Sequence, residues 1–267
     1  MSKLIRSVIV SLLFPFVLFS ELYQTDLPLD KLLTEANSSY ERAERAANFQ
    51  ERKNNFNEAL SAYLEIEKSP SVMSKKLFQA IGDTYFQLGE YAWSILYYER
   101  ALQLRPQDEL INQRANLAKT KLGLGFLQPP SLSERLLFDH YFSFRQRLTF
   151  FFWMSLFTLS IITLLIWRPF LLLKKLAMLA GVILITSGIN LFTTHYFAPI
   201  YGIFIQSTGL YRAPNLLQPQ LSEVPLLMGS KIRVMEAVEM GFWLKVINFD
   251  GRVGYVPASS LRLIDFY

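Results

Sequence analysis

The chain has 267 residues, a formal net charge of +5, 51% hydrophobic residues and only 18% charged ones. A soluble domain more often carries about a quarter charged residues, so this composition argues for a part that sits in lipid. It contains no cysteine, which excludes disulfides, cysteine-zinc sites, thiol nucleophiles and iron–sulfur clusters, and its basic residues are scattered rather than massed on a nucleic-acid surface.

Residues 1–20 read MSKLIRSVIVSLLFPFVLFS. Lys3 and Arg6 precede an apolar stretch, Ser7 to Phe19, that is short for a membrane span. This is the layout of a secretory signal peptide, or of an uncleaved anchor with its N-terminus inside. Either reading delivers Glu21 and the helical region after it to the outer face of the inner membrane.

Residues 29–125 are polar, with apolar side chains at helical spacing. Within Leu77 to Pro106, Gly82 lets two helices approach and Gly89 breaks the first of them. Ala101 is small at a crossing, and Pro106 closes the second helix. With Tyr85, Leu88-Gly89-Glu90-Tyr91 and Tyr98, these residues resemble a tetratricopeptide repeat, with Ser94 where that family usually has Ala. Asn55-Phe56, Ala59 and Tyr63 resemble the second half of an earlier, degenerate copy, with Ala47 as its small helix-crossing residue. Ile111, Ala115, Ala118 and Leu122 form the stripe a capping helix needs. The resemblance implies a concave partner-binding face carrying Lys76, Gln79, Asp83 and Phe86. Two repeats also make a surface that is merely solvated.

Gln128-Pro129-Pro130 ends the helical region, because paired prolines cannot continue a helix. Residues 126–147 then form either a surface-lying amphipathic helix or a juxtamembrane lead-in. Residues 148–167 and 176–194 are two uncharged runs, each able to cross about 30 Å of hydrocarbon. The 168–175 loop carries Arg168, Lys174 and Lys175, so the positive-inside tendency makes it cytoplasmic. Both soluble parts are then periplasmic. Neither span holds an ionisable group for a proton relay or ion path. The two histidines, His140 and His195, lie beside apolar runs, where structural roles are expected.

Residues 199–267 switch to short strands: Tyr201 to Gln206, Lys231 to Val238, Phe242 to Asn248, Arg252 to Val256 and Leu261 to Ile264. Ile232, Val234 and Val238 are expected on one face, and Asp250-Gly251 marks a hairpin. Gly209-Leu210-Tyr211-Arg212-Ala213-Pro214, Trp243-Leu244-Lys245-Val246 and Asp250 to Pro257 resemble a bacterial SH3-like domain, with Tyr255 where many members carry Trp. The resemblance implies an aromatic groove for peptides or cell-wall stem peptides, with Tyr211, Trp243 and Tyr255 as its candidates. Trp243 and Tyr255 also suit core positions.

The expected fold is therefore multidomain: an all-α helical repeat, an α-helical membrane hairpin and an all-β SH3-like barrel. No phosphate-binding glycine loop, metal-ligand cluster or nucleophilic grouping is present, so no enzyme, cofactor or metal site is expected. The order of signal, repeats, paired spans and SH3-like module resembles the BatE-type family of the Bat (aerotolerance) operons. That resemblance implies an envelope scaffold working with other Bat proteins, several bearing von Willebrand A domains. A cell-wall sensor or anchor binding peptidoglycan through the SH3-like module is the alternative.

Overall fold

The computed structural model describes residues 27–69, 74–125, 144–167, 170–197, 199–215, 217–221, 224–248 and 251–264. The export signal, Gln128-Pro129-Pro130, residues 132–143 with His140, Arg168-Pro169 and Asp250 lie outside these residues. Two compact units divide the chain between Val72 and Met73.

The first unit is the helix pair α1 (Leu27–Arg45) and α2 (Phe49–Glu67). Asn48 caps α2 by accepting a hydrogen bond from the Gln50 amide. Phe56, Ala59 and Tyr63 are buried, with the Tyr40 ring edge-on to Phe56 at 5.2 Å and the Tyr63 hydroxyl donating to Asn37 at 2.7 Å. Ala47 is exposed in the connection between the helices, so it is not the crossing residue. That place belongs to the fully buried Ala36 and Ala43 of α1, which let the helices close up.

The second unit begins with α3 (Lys75–Leu88), α4 (Tyr91–Leu104) and α5 (Glu109–Lys121). Ser74 and Asp108 cap α3 and α5 by accepting from the Leu77 and Ile111 amides. Gly89 ends α3 at φ 82, a left-handed position that suits glycine. At the α3–α4 crossing, Gly82 lies against the Tyr98 ring so closely that a Cβ would meet it at 2.8 Å. Ile111, Ala115 and Ala118 of α5 are buried.

Next come α6 (Phe144–Trp167) and α7 (Leu171–Phe197), two helices long and apolar enough to cross a membrane. They pack as an antiparallel hairpin: Gly188 faces Phe151, and Arg147 donates to Asn190 at 3.3 Å. The expected 168–175 loop is shorter than its boundaries, since Leu171 to Lys175 already belong to α7. Leucine and lysine are good helix formers, and nothing there interrupts the backbone ladder.

The remaining elements form a five-stranded antiparallel sheet of β1 (Ile200–Phe204), β2 (Lys231–Val238), β3 (Trp243–Ile247), β4 (Val253–Pro257) and β5 (Leu261–Leu263). Its order is β4-β3-β2-β1-β5, and it is compatible with the SH3-like expectation. Phe204, Leu210, Ile232, Val234, Leu244, Val246, Val256 and Leu261 make its core. One register differs from expectation. A bulge at Met235 pairs Val238 with Trp243, the residue whose side chain points away from Leu244 and the core. Val238 therefore leaves the face of Ile232 and Val234, because one extra residue flips every later side chain.

Candidate functional site

Of the four residues expected on the partner-binding face of the repeat, Lys76 is exposed, and Gln79 and Phe86 are half-buried. Phe86 meets Tyr91 edge-on at 5.3 Å. Asp83 is half-buried and engaged within the fold. Its carboxylate accepts from the Tyr98 hydroxyl at 2.6 Å and pairs with Arg114 on α5. Burial, and then the Asp83 charge, push the Tyr98 phenol above its ordinary range, so it stays a hydrogen-bond donor. Asp83 thus ties three helices together.

The three aromatics expected in the sheet come together. Tyr211 and Tyr255 exchange backbone hydrogen bonds of 2.9 and 2.8 Å, and the Tyr211 ring meets Trp243 edge-on at 5.6 Å. Trp243 is buried, on the face of the sheet opposite Leu244 and Val246. Tyr211 and Tyr255 beside it are half-buried. Lys245 donates to Glu236 at 2.9 Å across the β2–β3 ladder. That bond holds the Lys245 ammonium above its ordinary pKa.

A third cluster joins the repeat to the sheet, and no sequence pattern marks it. Glu99 on α4 accepts from Lys119 on α5 at 2.7 Å and from Lys231 on β2 at 3.1 Å. The Glu99 side chain is only 13% exposed. Burial alone would raise its pKa, but the two ammonium groups outweigh burial and hold the carboxyl below the usual carboxylate range. Around this triad, Arg100 donates to the Leu263 carbonyl at 3.1 Å. The Arg262 guanidinium sits 5.8 Å from the Trp93 ring, which stacks on Tyr85. Gly229 fits against Leu122, Leu124 and Ile95. Glu99 and Lys231 are 132 residues apart in sequence, and the one local hint is an acid within the apolar helix Tyr91–Leu104.

Among the described residues, no group of three or more His, Cys, Asp or Glu side chains is placed to hold a metal ion.

Residues 76–108 match a family model of the tetratricopeptide repeat, covering α3, α4 and the turn after them. Repeats of this class build protein-binding surfaces, and protein–protein interaction is the role this region supports. No curated protein and no solved structure matches the chain.

Proposed function

We propose that this chain is a membrane-anchored, non-enzymatic scaffold that holds two binding modules on one side of a bilayer. The reading rests chiefly on the Glu99 triad, which links the repeat to the sheet directly. In an antiparallel hairpin, the start of α6 and the end of α7 leave the bilayer on the same side, and the triad needs the same arrangement. Two modules tethered at one patch raise the local concentration of each toward any partner presenting both epitopes. The signal-like N-terminus and the lysines at the other end of the hairpin favour the periplasmic side of a bacterial inner membrane. The domain order favours a Bat-type envelope complex linked to stress or aerotolerance, with von Willebrand A-domain proteins as partners.

Capture from cross-linked membranes tests the repeat's share of this reading. Full-length chain carrying Lys76→Glu and Phe86→Ala is expected to lose partners that the native chain retains. Unchanged capture would remove this face from the account. Because Lys76 is exposed and Phe86 half-buried, the double variant leaves the helix core in place.

The grouping of Tyr211, Trp243 and Tyr255 supports a second reading, a cell-wall sensor or anchor in which stem peptides lie across the aromatic cluster. Loss of sacculus binding on Tyr211→Ala, with folding intact, is its expected mark. An intact chain that never binds sacculi would eliminate it.

A further inference from the structure

The sheet carries an apolar tip that neither its core nor the aromatic cluster uses. Between β2 and β3, Met240 is fully exposed, and Phe242 is 74% exposed. Glu239 and Met240 hold φ values of 50 and 57, with Gly241 at φ 90 after them. Left-handed backbone at two successive non-glycine residues costs free energy and recurs where a turn is held for a purpose. Leaving two large apolar side chains in water at the end of such a turn calls for an occupant.

The topology indicates where that occupant lies. The uncharged run of α7 ends at Thr194, and the helix continues to Phe197. Those three residues rise about 4.5 Å, and a two-residue connection can add at most about 7 Å, so β1 starts within about 12 Å of the hydrocarbon edge. The strand β2 runs antiparallel to β1, with Val234 opposite Ile200. With Met235 as the bulged residue, Glu236 to Val238 carry β2 three ladder steps past the start of β1, about 10 Å back at 3.3 Å per residue, and the 239–242 turn reaches beyond them. The reach of the hairpin matches the height of its base.

We propose that the Met240–Phe242 tip inserts into the bilayer interface beside α7, a docking that rests on the membrane-anchor reading above. No lysine or arginine lies among residues 239–242, so the tip binds through apolar contact and needs no anionic lipid. Met235, exposed at the bulge, lies on the same protruding ribbon. The insertion fixes the tilt of the sheet against the membrane and so sets how the aromatic cluster faces incoming ligands.

The cysteine-free chain makes the test direct. Met240→Cys, Gln107→Cys and Leu179→Cys are each spin-labelled in the full-length chain and reconstituted in phosphatidylcholine vesicles. Power saturation then compares dissolved oxygen, which is enriched in lipid, with a water-soluble nickel chelate. The expected result is an oxygen-to-chelate ratio at Met240 several-fold above that at Gln107 and below that at Leu179. Adding Phe242→Ser should lower it. If Leu179 reads as lipid while Met240 is as open to chelate as Gln107, the tip proposal falls and the anchor stands. Shielding of Met240 from both reagents would mean a protein contact, which also overturns it. If Leu179 itself reads as aqueous, the anchor reading fails and takes the tip with it.

Discussion

Glu99→Gln is expected to destabilise the junction between repeat and sheet by about 3 kcal/mol. Removing one partner of a buried ion pair typically costs about 3–5 kcal/mol, because the remaining charge stays desolvated and unpaired. Here two ammonium groups, on Lys119 and Lys231, would be left facing a neutral amide. The lower end of that range applies because Lys231 is 36% exposed and water screens part of its share. Replacing the whole triad by apolar residues (Glu99→Leu, Lys119→Met, Lys231→Met) should be close to neutral, since it removes the charges together. Thermal unfolding of the full chain in micelles compares the two variants. Equal stability of native and Glu99→Gln chains would sink the idea of a structural triad.

The same residue sets an acid dependence. The folded pKa of Glu99 is depressed, so its contribution is fully present above the unfolded value of about 4.3 and is lost as pH falls through the lower folded value. Native chain should therefore lose stability below about pH 4 more steeply than Glu99→Gln, which has no proton to take up there.

Gly229→Ala carries the second large effect. Gly229 sits at φ 83, where an L-residue pays about 1–2 kcal/mol. Its new Cβ would also lie 2.4 Å from Leu122 and about 3 Å from Leu124 and Ile95, overpacking that typically costs about 1–3 kcal/mol. The expected loss is about 2–5 kcal/mol, on the same junction as Glu99. Gly251→Ala is the control, because φ there is 76 yet nothing lies within 4 Å of the added carbon. It should lose only the conformational part. Equal losses at both glycines would show that the contact of Gly229 with the repeat contributes nothing.

Much of the architecture is legible in the sequence where short-range patterns decide it. Gly82, Tyr98 and Ala101 mark the repeat because a helix crossing imposes size at fixed spacing, and α6 and α7 declare themselves through composition. Boundaries are less legible: Leu171 to Lys175 read as a loop from their charge, although their propensity is helical. Ala47 is a misleading candidate because several small residues stand close together, and only packing selects Ala36 and Ala43. The bulge at Met235 leaves no mark, since Met235 and Glu236 are tolerated on either face of an exposed ribbon. The proximity of Tyr211, Trp243 and Tyr255 is readable through their motif residues. Helical periodicity places Asp83 on the expected concave face but does not name its partners, Tyr98 and Arg114. The Glu99–Lys231 link is a product of tertiary folding, hinted at locally only by an acid within an apolar helix.

The central claim is that the repeat and the sheet share one side of a membrane that the hairpin crosses. Single cysteines at Gln107, Arg252 and Leu172, in separate full-length chains, test it in intact cells with a thiol reagent that reaches the periplasm but not the cytoplasm. The account predicts labelling at Gln107 and Arg252 and none at Leu172. Labelling at one of Gln107 and Arg252 without the other would contradict it, because the two modules could then not meet through Glu99.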